Sequence, residues 1–374
     1  MKIEQLKYIF NQFNHSTNFI GYKELASGHI NDTYLIETSH KPYLILQRIN
    51  HEVFKDVPGL VLNKVNISKH LLKKLEHLPE DELKRRVLTF VDTKKGDYYY
   101  IDDSGNYWNM MVYIDHSVTF ETVHNEEVAY ESGKLFGDFL NLTSDFDASQ
   151  LTEVIPKFHD MSFRFSQFEE ALKVASTERL TKAKNLIEKV QLLKDEMHII
   201  QHLKESGKIR LRVTHNDTKI SNALFDLNNK GLCVIDTDTV MPGVVHYDFG
   251  DAIRTICNTA SEDEKNLELI NFNMDYYKAY TKGFLEEVAS ALSPIEINHL
   301  PLGAKTMIFI MAIRFLTDFL NGDIYYKTAY PDHNYDRSKN QLKLVESFTE
   351  KFGEMEINDV LGAPLGIIKK EQHL

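Results

Sequence analysis

Three polar side chains near the middle of the sequence have the types and the spacing that phosphoryl transfer requires. Asp217 lies in the segment 215–222, Asn222 follows it five residues later, and Asp236 ends an apolar segment fourteen residues after Asn222. A carboxylate in such a loop can accept the proton of an attacking hydroxyl, while an asparagine oxygen and a second carboxylate converge on one Mg²⁺ ion. The pattern His-x-Asp-x-x-x-x-Asn, a hairpin and then Ile-Asp predicts a magnesium-dependent phosphoryl-transfer site.

Two further charged residues lie beside these three. Lys219 is in the same segment, where an ammonium group can stabilise transferring phosphate oxygens, although a solvated loop lysine is an equally good interpretation. Asp238 follows Asp236 by two residues and points the same way if the strand continues. In that case Asp238 joins the outer shell of the metal.

The elements that must position these residues change character along the chain. Strands are predicted at 34–36, 43–46, 87–91 and 108–113, with one interrupting helix at 59–78 that Pro79 would stop. After a connector at 113–117, helices are predicted at 126–142, at 165–203 as a pair, from a capping box of Ser261 and Glu264 towards 288, from Ser293 to about 320, and at 337–351. A small β island at 211–214, 223–226 and 232–236 carries the polar residues of the site.

Composition excludes several classes of function. The 374 residues include 43% hydrophobic residues, and 43 Lys and Arg against 55 Asp and Glu give a net charge of −12, which disfavours nucleic acid as a partner. The two cysteines predict neither a disulfide framework nor a zinc site. The apolar stretch 306–313 is shorter than the ~20 residues of a membrane span, and the first residues lack a signal-peptide pattern, so we expect a cytoplasmic protein.

Three stretches carry a specific resemblance to a known family. Residues 213–222, 234–243 and 247–254 resemble the aminoglycoside phosphotransferase superfamily, and within it the N-acetylhexosamine 1-kinases. Further similar segments run from about residue 20 to 350; they are 28–35, 148–153, 158–160, 314–316, 322–325 and 333–334. The resemblance implies an α+β, two-lobed protein-kinase-like fold. Residues 1–114 would form a β-rich nucleotide-binding lobe, and 115–374 a mainly helical lobe with the catalytic loop, metal site and sugar pocket.

The resemblance also assigns an activity and roles. It implies transfer of the γ-phosphoryl group of ATP to the C1 hydroxyl of N-acetylglucosamine or N-acetylgalactosamine, with Mg²⁺, and no nucleic acid or membrane as partner. Asp217 matches the catalytic base that touches the sugar, assisted by Lys219, and Asn222 and Asp236 match the metal ligands. The remaining matches are weaker; they are Gly28 in a loop over the phosphates, Tyr113 beside ATP on the connector, and His29, Thr255, Arg314 and Tyr325 around the sugar.

Two of these assignments have alternatives in the sequence itself. Protein kinases place a phosphate-binding lysine on the third strand, but the corresponding strand here reads Leu-Ile-Leu-Gln-Arg at 44–48. Arg48 is the expected replacement, because a guanidinium binds phosphate well, and Gln47 is the other candidate. Arg314 either reaches the substrate or forms an ion pair with Asp318 one helical turn later.

Two other functions compete with the sugar kinase. A kinase of the same superfamily could act on choline, ethanolamine, homoserine, methylthioribose or an aminoglycoside. The chain could instead be a nucleotide-binding regulator that has lost catalysis, for which the missing strand lysine is the only support. The presence of Asp217, Asn222 and Asp236 together argues against the regulator.

Overall fold

The protein has a β-rich lobe and a helical lobe, which together make an α+β fold. The computed structural model describes residues 2–25, 30–355 and 357. The strands are β1 (Phe19–Leu25), β2 (Asp32–Thr38), β3 (Leu44–Ile49), β4 (Phe90–Val91), β5 (Tyr100–Ile101), β6 (Tyr107–Val112), β7 (Ser117–Val118), β8 (Arg212–Thr214), β9 (Ala223–Asp226), β10 (Gly231–Val234) and β11 (Met241–Gly243). The helices are α1 (Ile3–Phe10), α2 (Val57–Lys74), α3 (Glu80–Arg86), α4 (Glu126–Leu142), α5 (Met161–Val174), α6 (Thr177–Leu192), α7 (Lys194–Met197), α8 (Ile199–Glu205), α9 (Val245–Ile256), α10 (Met274–Val288), α11 (Pro294–Asn298), α12 (Leu300–Leu320) and α13 (His333–Glu350).

The first lobe is built on one antiparallel sheet. Its strands follow the order β1-β2-β3-β6-β4, and β5 pairs with β6. Helix α1 covers one face of the sheet, where Leu6, Ile9 and Phe10 join a buried cluster with Tyr34 and Trp108. The register places Gln47 of β3 between Thr33 of β2 and Asn109 of β6. Because side chains alternate along a strand, Gln47 and its neighbour Arg48 face opposite sides of the sheet.

Helix α2 joins the sheet to the helical lobe. Asp56 caps its first turn by accepting the N–H of Gly59 at 2.9 Å. In mid-helix the Asn63 amide donates to the carbonyls of Thr152 (2.8 Å) and Val240 (2.9 Å) and accepts the N–H of Thr152 at 2.9 Å. A buried amide with these polar contacts holds the helix in one rotation, which fixes the side chains that α2 directs at the space between the lobes.

One close helix pair and one central helix organise the second lobe. α4 and α10 cross closely, since a Cβ on Gly283 would lie 2.2 Å from the carbonyl oxygen of Tyr130. α12 is long and apolar enough to span a membrane by length and composition, but 83% of that window is buried inside the protein. Its one buried lysine, Lys305, pairs with Glu196 at 2.6 Å. α12 is thus the core helix around which α5, α9 and α13 pack.

Several predicted boundaries were wrong. The first hundred residues contain two further helices, α1 and α3, and α2 ends at Lys74, so Pro79 precedes α3 instead of stopping α2. Residues 165–203 fall in four helices rather than two. Ser261 lies in a turn, and α10 begins thirteen residues later with Asn273 as its N-cap.

Other predictions were confirmed. Helix α4 has the predicted ends, and Ser293 and Glu296 form a capping box at the start of α11. The chain then breaks at His299 before α12, so the predicted single helix from Ser293 to about 320 was wrong and is two helices. The β island consists of two small sheets, one of β10, β9 and β7 and the other of β11 and β8. Because β7 begins at Ser117, the chain leaves the first sheet between residues 112 and 117.

Candidate active site

The loop that carries Asp217 is held by a buried carboxylate. Asp248, in the first turn of α9 and 1% exposed, accepts the backbone N–H groups of His215 and Asn216, each at 2.7 Å. Burial raises the pKa of Asp248 to about 6, although these two hydrogen bonds oppose the rise. Asn216 adopts the left-handed conformation (φ 64°) that the sharp loop requires.

The ring of His215 joins this loop to the segment that ends in Asp236. Its Nε2 lies 2.8 Å from the carbonyl oxygen of Ile235, and the N–H of Asp217 donates to its Nδ1 at 3.3 Å. These partners require the tautomer with the proton on Nε2. One buried ring therefore sets the distance between the catalytic loop and the loop of Asp236.

Asp217, Lys219 and Asn222 form one polar group. The Asn222 Nδ2 donates to the Asp217 carboxylate at 2.9 Å and to the Asp217 carbonyl at 2.8 Å, and the Lys219 Nζ lies 3.3 Å from Asp217 Oδ2. Burial alone would raise the pKa of Asp217, but Lys219, His215 and the hydrogen bond from Asn222 lower it overall. The carboxylate is thus ionised at neutral pH and able to accept a proton during a reaction.

Asp236 faces this group from the opposite loop. Its backbone is left-handed (φ 58°), which turns the carboxylate out of the hairpin and into the open space between the lobes. Burial by the surrounding protein, with the negative charges of Asp238 and Asp217, raises the pKa of Asp236 to about 7. Lys219 and Lys64 oppose this rise in pKa but do not cancel it.

The donor set fits a hard cation. The amide nitrogen of Asn222 donates to Asp217. Within the described part of the chain, Asn222 Oδ1 and both carboxylate oxygens of Asp236 make no hydrogen bond. Magnesium is usually bound by one or two protein oxygen ligands and completes its shell with phosphates and water. Asn222 and Asp236 therefore suit Mg²⁺ in the roles that the sequence predicted.

These residues line one large cleft between the lobes. The cleft encloses about 590 Å³, within the range of small-molecule sites. Asp217, Lys219, Asn222 and Asp236 line its floor, and Tyr113 lies on its connector side. Gly28 and His29, which were predicted to close over it, lie outside the described residues.

The strand predicted to bind phosphate directs a different side chain into the cleft. Gln47 and Ile45 line the cleft, whereas Arg48 is on the opposite face of β3, where its Nε donates to Asp32 at 2.6 Å. The structure therefore does not bring Arg48 to Asp217. The cation beside Gln47 is Lys64 of α2, whose Nζ donates to Gln47 Oε1 at 3.2 Å and to Asp238.

A second polar surface adjoins Asp217 on the side of α12. The His159 Nε2 contacts the carbonyl oxygen of Asn216 at 3.1 Å, and the neighbouring Phe158 ring lies 5.2 Å from the Arg314 guanidinium. Burial lowers the pKa of His159 to about 3, so the ring is neutral at pH 7. Its Nδ1 is buried and has no hydrogen-bond partner among the described residues.

Asp318 does not pair with Arg314. It accepts the backbone N–H groups of Ile324 (3.0 Å), Tyr325 (2.8 Å) and Tyr326 (2.9 Å), and so holds the turn after α12. That turn places the two tyrosine rings 6.0 and 5.5 Å from the Arg314 guanidinium. The ion-pair interpretation of Arg314 and Asp318 was wrong.

The Thr255 hydroxyl makes its hydrogen bonds within its own helix and not in the cleft. It donates to the carbonyls of Asp251 (3.3 Å) and Ala252 (3.2 Å), and the residue is half-buried. The adjacent Arg254 is neutralised by Asp251 at 2.9 Å and Glu262 at 2.6 Å. Thr255, Arg314 and Tyr325 do not line the 590 Å³ cleft itself.

The sequence interpretation gave no role to two residues that organise the site. Asp248 was available as a signal, because it lies within the stretch 247–254 that carries the family resemblance, at the start of a helix whose residues are almost all buried. Lys64 was not, because it looks like one of several lysines on an amphipathic helix. Only the rotation of α2 shows that Lys64 is 3% exposed and directed at the cleft.

A family profile now decides the broader class. The profile of the phosphotransferase enzyme family matches residues 21–287, which is more than half of the chain. The chain belongs to the phosphotransferase enzyme family. This family match spans the catalytic loop, the loop of Asp236 and helix α9, the segments on which the sequence resemblance rested.

Solved structures of related phosphotransferases share the fold. An aminoglycoside phosphotransferase from Alicyclobacillus acidocaldarius superposes with a TM-score of 0.60 at 12% identity, over 93% of this chain and 96% of that chain. A choline kinase from Cryptosporidium parvum gives 0.55 at 15% identity, over 92% and 94%. Amicoumacin kinase in complex with AMP-PNP and Ca²⁺ gives 0.57 at 12% identity, over 96% and 95%. At these identities the likeness establishes the two-lobed fold.

Proposed function

We propose that this phosphotransferase is an ATP-dependent kinase of N-acetylhexosamines that produces the hexosamine 1-phosphate and ADP. Asp217 accepts the proton of the anomeric hydroxyl as its oxygen bonds to the γ-phosphorus, and the bond from that phosphorus to the β–γ bridging oxygen breaks. Asn222 and Asp236 would hold Mg²⁺, which would neutralise charge on the phosphates when bound. Lys219 supplies a positive charge 3.3 Å from Asp217.

The positive charge of the surface beside Asp217 is the observation that favours a neutral acceptor over a cationic one. Arg314 forms no ion pair with any described carboxylate and contacts the rings of Phe158, Tyr325 and Tyr326 instead. Arg164 lies close enough to interact with it, and burial together with the charge of Arg314 lowers the pKa of Arg164 to about 10. A cationic acceptor such as choline, ethanolamine or an aminoglycoside would be repelled by these two guanidinium groups.

The carboxylates near this surface are already engaged. Asp318 accepts three backbone N–H groups, Asp251 pairs with Arg254, and Asp160 caps α5 by accepting the N–H of Phe163 at 2.8 Å. Recognition of a polyamine needs free carboxylates, whereas a neutral sugar needs donors, acceptors and a ring to stack on. The Arg314 guanidinium and the tyrosine rings and hydroxyls supply groups of the second kind.

The position of phosphorylation rests on the sequence resemblance. The N-acetylhexosamine 1-kinases act at C1, and the segments that resemble them include both the catalytic loop and the turn at 322–325. The inactive-regulator alternative loses its support if another cation replaces the strand lysine, and Lys64 lines the same cleft as Asp217.

An ADP-release assay tests the proposal. ATP and Mg²⁺ would be combined with N-acetylglucosamine, N-acetylgalactosamine, glucose, choline, ethanolamine or kanamycin as separate acceptors. We expect release with the two N-acetylhexosamines, and a product whose phosphate ³¹P–¹H coupling locates it on C1. Asp217→Asn should abolish this release while nucleotide binding is retained.

A matched pair of arginine variants tests the acceptor surface. Arg314→Gln should raise the KM for the sugar at least about tenfold, because a charged hydrogen bond is lost, and should leave the KM for ATP unchanged. Arg210→Gln, at an exposed arginine, should change neither constant. Turnover with choline or kanamycin but not with sugars would refute the acceptor, and full activity of Asp217→Asn would refute the mechanism.

A further inference from the structure

One lysine lies in the cleft at the place where the third strand offers none. The Lys64 side chain, from the middle of α2, is 2% exposed, and it lines the same cleft as Asp217, Asn222 and Asp236. The other lysines of the described cleft lining are Lys23, on β1, and Lys219, which is already engaged with Asp217.

The contacts of Lys64 leave it able to bind a further anion. Its ammonium group donates to Asp238 and, at 3.2 Å, to Gln47 Oε1, and it lies 5.4 Å from the centre of the Phe90 ring. An ammonium group has three protons, and the third has no acceptor among the described residues. Burying an ion pair seldom adds stability, so the packing of the core does not account for a lysine at this position.

Asp238 holds this lysine with one of its two carboxylate oxygens. One carboxylate oxygen accepts from Lys64 and the other from Asn31, which follows β1. Asn31 in turn accepts the N–H of Asn50 at 2.9 Å. Asp238 thus holds Lys64 and ties α2 and Asn31 to the loop of Asp236. The outer-shell metal role that the sequence suggested for Asp238 stays a prediction.

We infer that Lys64 is the residue that binds the β-phosphate of the nucleotide, with Asp238 and Gln47 as its positioning partners. In protein kinases a strand lysine pairs with a glutamate on the helix of the same lobe. Here the lysine comes from the helix and the acid from the metal-binding loop, while an uncharged Gln47 occupies the strand position. The inference rests on the proposed function, because it requires a nucleotide in this cleft.

The decisive measurement compares AMP with ADP in the presence of Mg²⁺, by calorimetry and without an acceptor. AMP lacks the β-phosphate, so the ratio of the two affinities reports the phosphate contact separately from the adenine pocket. We expect Lys64→Met to weaken ADP binding about 10- to 100-fold and to leave AMP binding within about twofold, since a charged hydrogen bond is lost. Lys73→Met, at an exposed lysine of the same helix, should change neither affinity.

A rescue variant distinguishes the phosphate role from a structural one. Gln47→Lys in the Lys64→Met background returns a lysine to the strand and should restore most of the ADP preference. If Lys64→Met is unstable because Asp238 is left buried without a cation, Lys64→Gln removes the charge but keeps a donor for Asp238, and the same loss of ADP preference is expected.

Each outcome has a separate meaning. An unchanged ADP-to-AMP ratio in Lys64→Gln, or equal losses for both nucleotides, would overturn the role of Lys64 while sugar phosphorylation by the wild type would still stand. Wild-type protein that binds neither nucleotide would overturn this inference and the proposed function together.

Discussion

Replacing Asp248 by asparagine should lower kcat strongly while changing the free energy of unfolding only slightly. Asp248 accepts two backbone N–H groups of the catalytic loop at 2.7 Å each, and an asparagine side chain in its place would keep only one acceptor oxygen. Either His215 or Asn216 would then face an amide N–H₂ group. The loop must shift to relieve this, and a displacement of about 1 Å at a catalytic group can cost about 100-fold in rate.

The expected change in stability is small because two effects oppose each other. The lost charge-assisted bond costs ~1.5–3 kcal/mol, and the buried N–H left without an acceptor costs ~1–3 kcal/mol. Against this, a pKa raised from 3.8 to about 6 means that the ionised carboxylate itself costs about 3 kcal/mol at neutral pH, which the neutral amide avoids. We expect a net loss of about 0–3 kcal/mol, less than the stability of a typical domain.

The raised pKa of Asp248 also predicts how the stability difference between the wild type and Asp248→Asn changes with pH. The pKa of Asp248 is higher in the folded than in the unfolded chain, so the folded protein binds this proton more tightly and stability from this group falls as the pH rises from about 4 through about 6. The variant lacks this loss. The amount by which Asp248→Asn is less stable than the wild type should therefore shrink by ~1.4 kcal/mol between about pH 5 and about pH 7.5.

Urea unfolding at the two pH values and initial rates of ADP release would measure both effects. Asp102→Asn is the matched control, because Asp102 is 8% exposed and accepts the N–H groups of Ser104 (2.9 Å) and Asn106 (3.0 Å) in a turn of the first sheet. That control should lose stability and keep kcat. A wild-type kcat in Asp248→Asn would refute the claim that Asp248 positions Asp217, and a deficit that grows with pH would refute the sign of its pKa shift.

Three further predictions follow from other contacts. Asp318→Asn should raise the KM for the sugar several-fold with the KM for ATP unchanged, because the turn that carries Tyr325 loses charged acceptors; an equal rise in both constants would count against this role. Removal of divalent cations with EDTA should abolish turnover and Mg²⁺ should restore it, and Asn222→Ala should raise the Mg²⁺ concentration needed for half-maximal rate; an unchanged Mg²⁺ requirement would exclude Asn222 as a ligand. Gly283→Ala should lower the unfolding free energy by about 1–3 kcal/mol or more, since its Cβ would lie 2.2 Å from a backbone oxygen, and unaltered thermal unfolding would contradict this.

The catalytic loop was predictable because its chemistry is local in sequence. Asp217 and Asn222 share one loop, and Asp236 follows a single hairpin, so the spacing along the chain almost determines the spacing in space. The N-cap at Ser293 was equally local. The division into a β-rich part and a helical part followed from the change from short β-rich segments to long amphipathic ones. The family profile and the solved structures agree with the two-lobed fold that the resemblance implied.

The predictions that failed depended on the rotation of a strand or helix about its axis, or on contacts between residues far apart in the sequence. Whether Gln47 or Arg48 enters the cleft depends on the phase of β3, which an apolar run without alternation does not reveal. The Lys64–Asp238 pair joins residues 174 positions apart. For Asp318, helical spacing correctly placed Arg314 one turn away, but three backbone N–H groups of a turn compete better for the carboxylate than one half-buried guanidinium does.

The charges of the cleft indicate why a cation should be needed for binding as well as for transfer. Among the described residues that line it there are three lysines and four carboxylates, so the cleft offers no net positive charge to a nucleotide that carries several negative ones. One lysine, Lys64, is held by Asp238, and another, Lys219, is held by Asp217, so neither neutralises a phosphate without sharing its charge. A divalent ion on Asn222 and Asp236 would reverse this balance, and it would also offset the burial and the like-charge repulsion that together raise the pKa of Asp236 to about 7. Cation and nucleotide should therefore bind with positive coupling: the affinity for ADP measured in EDTA should be far below that in Mg²⁺, and an affinity independent of the cation would contradict this account of the site.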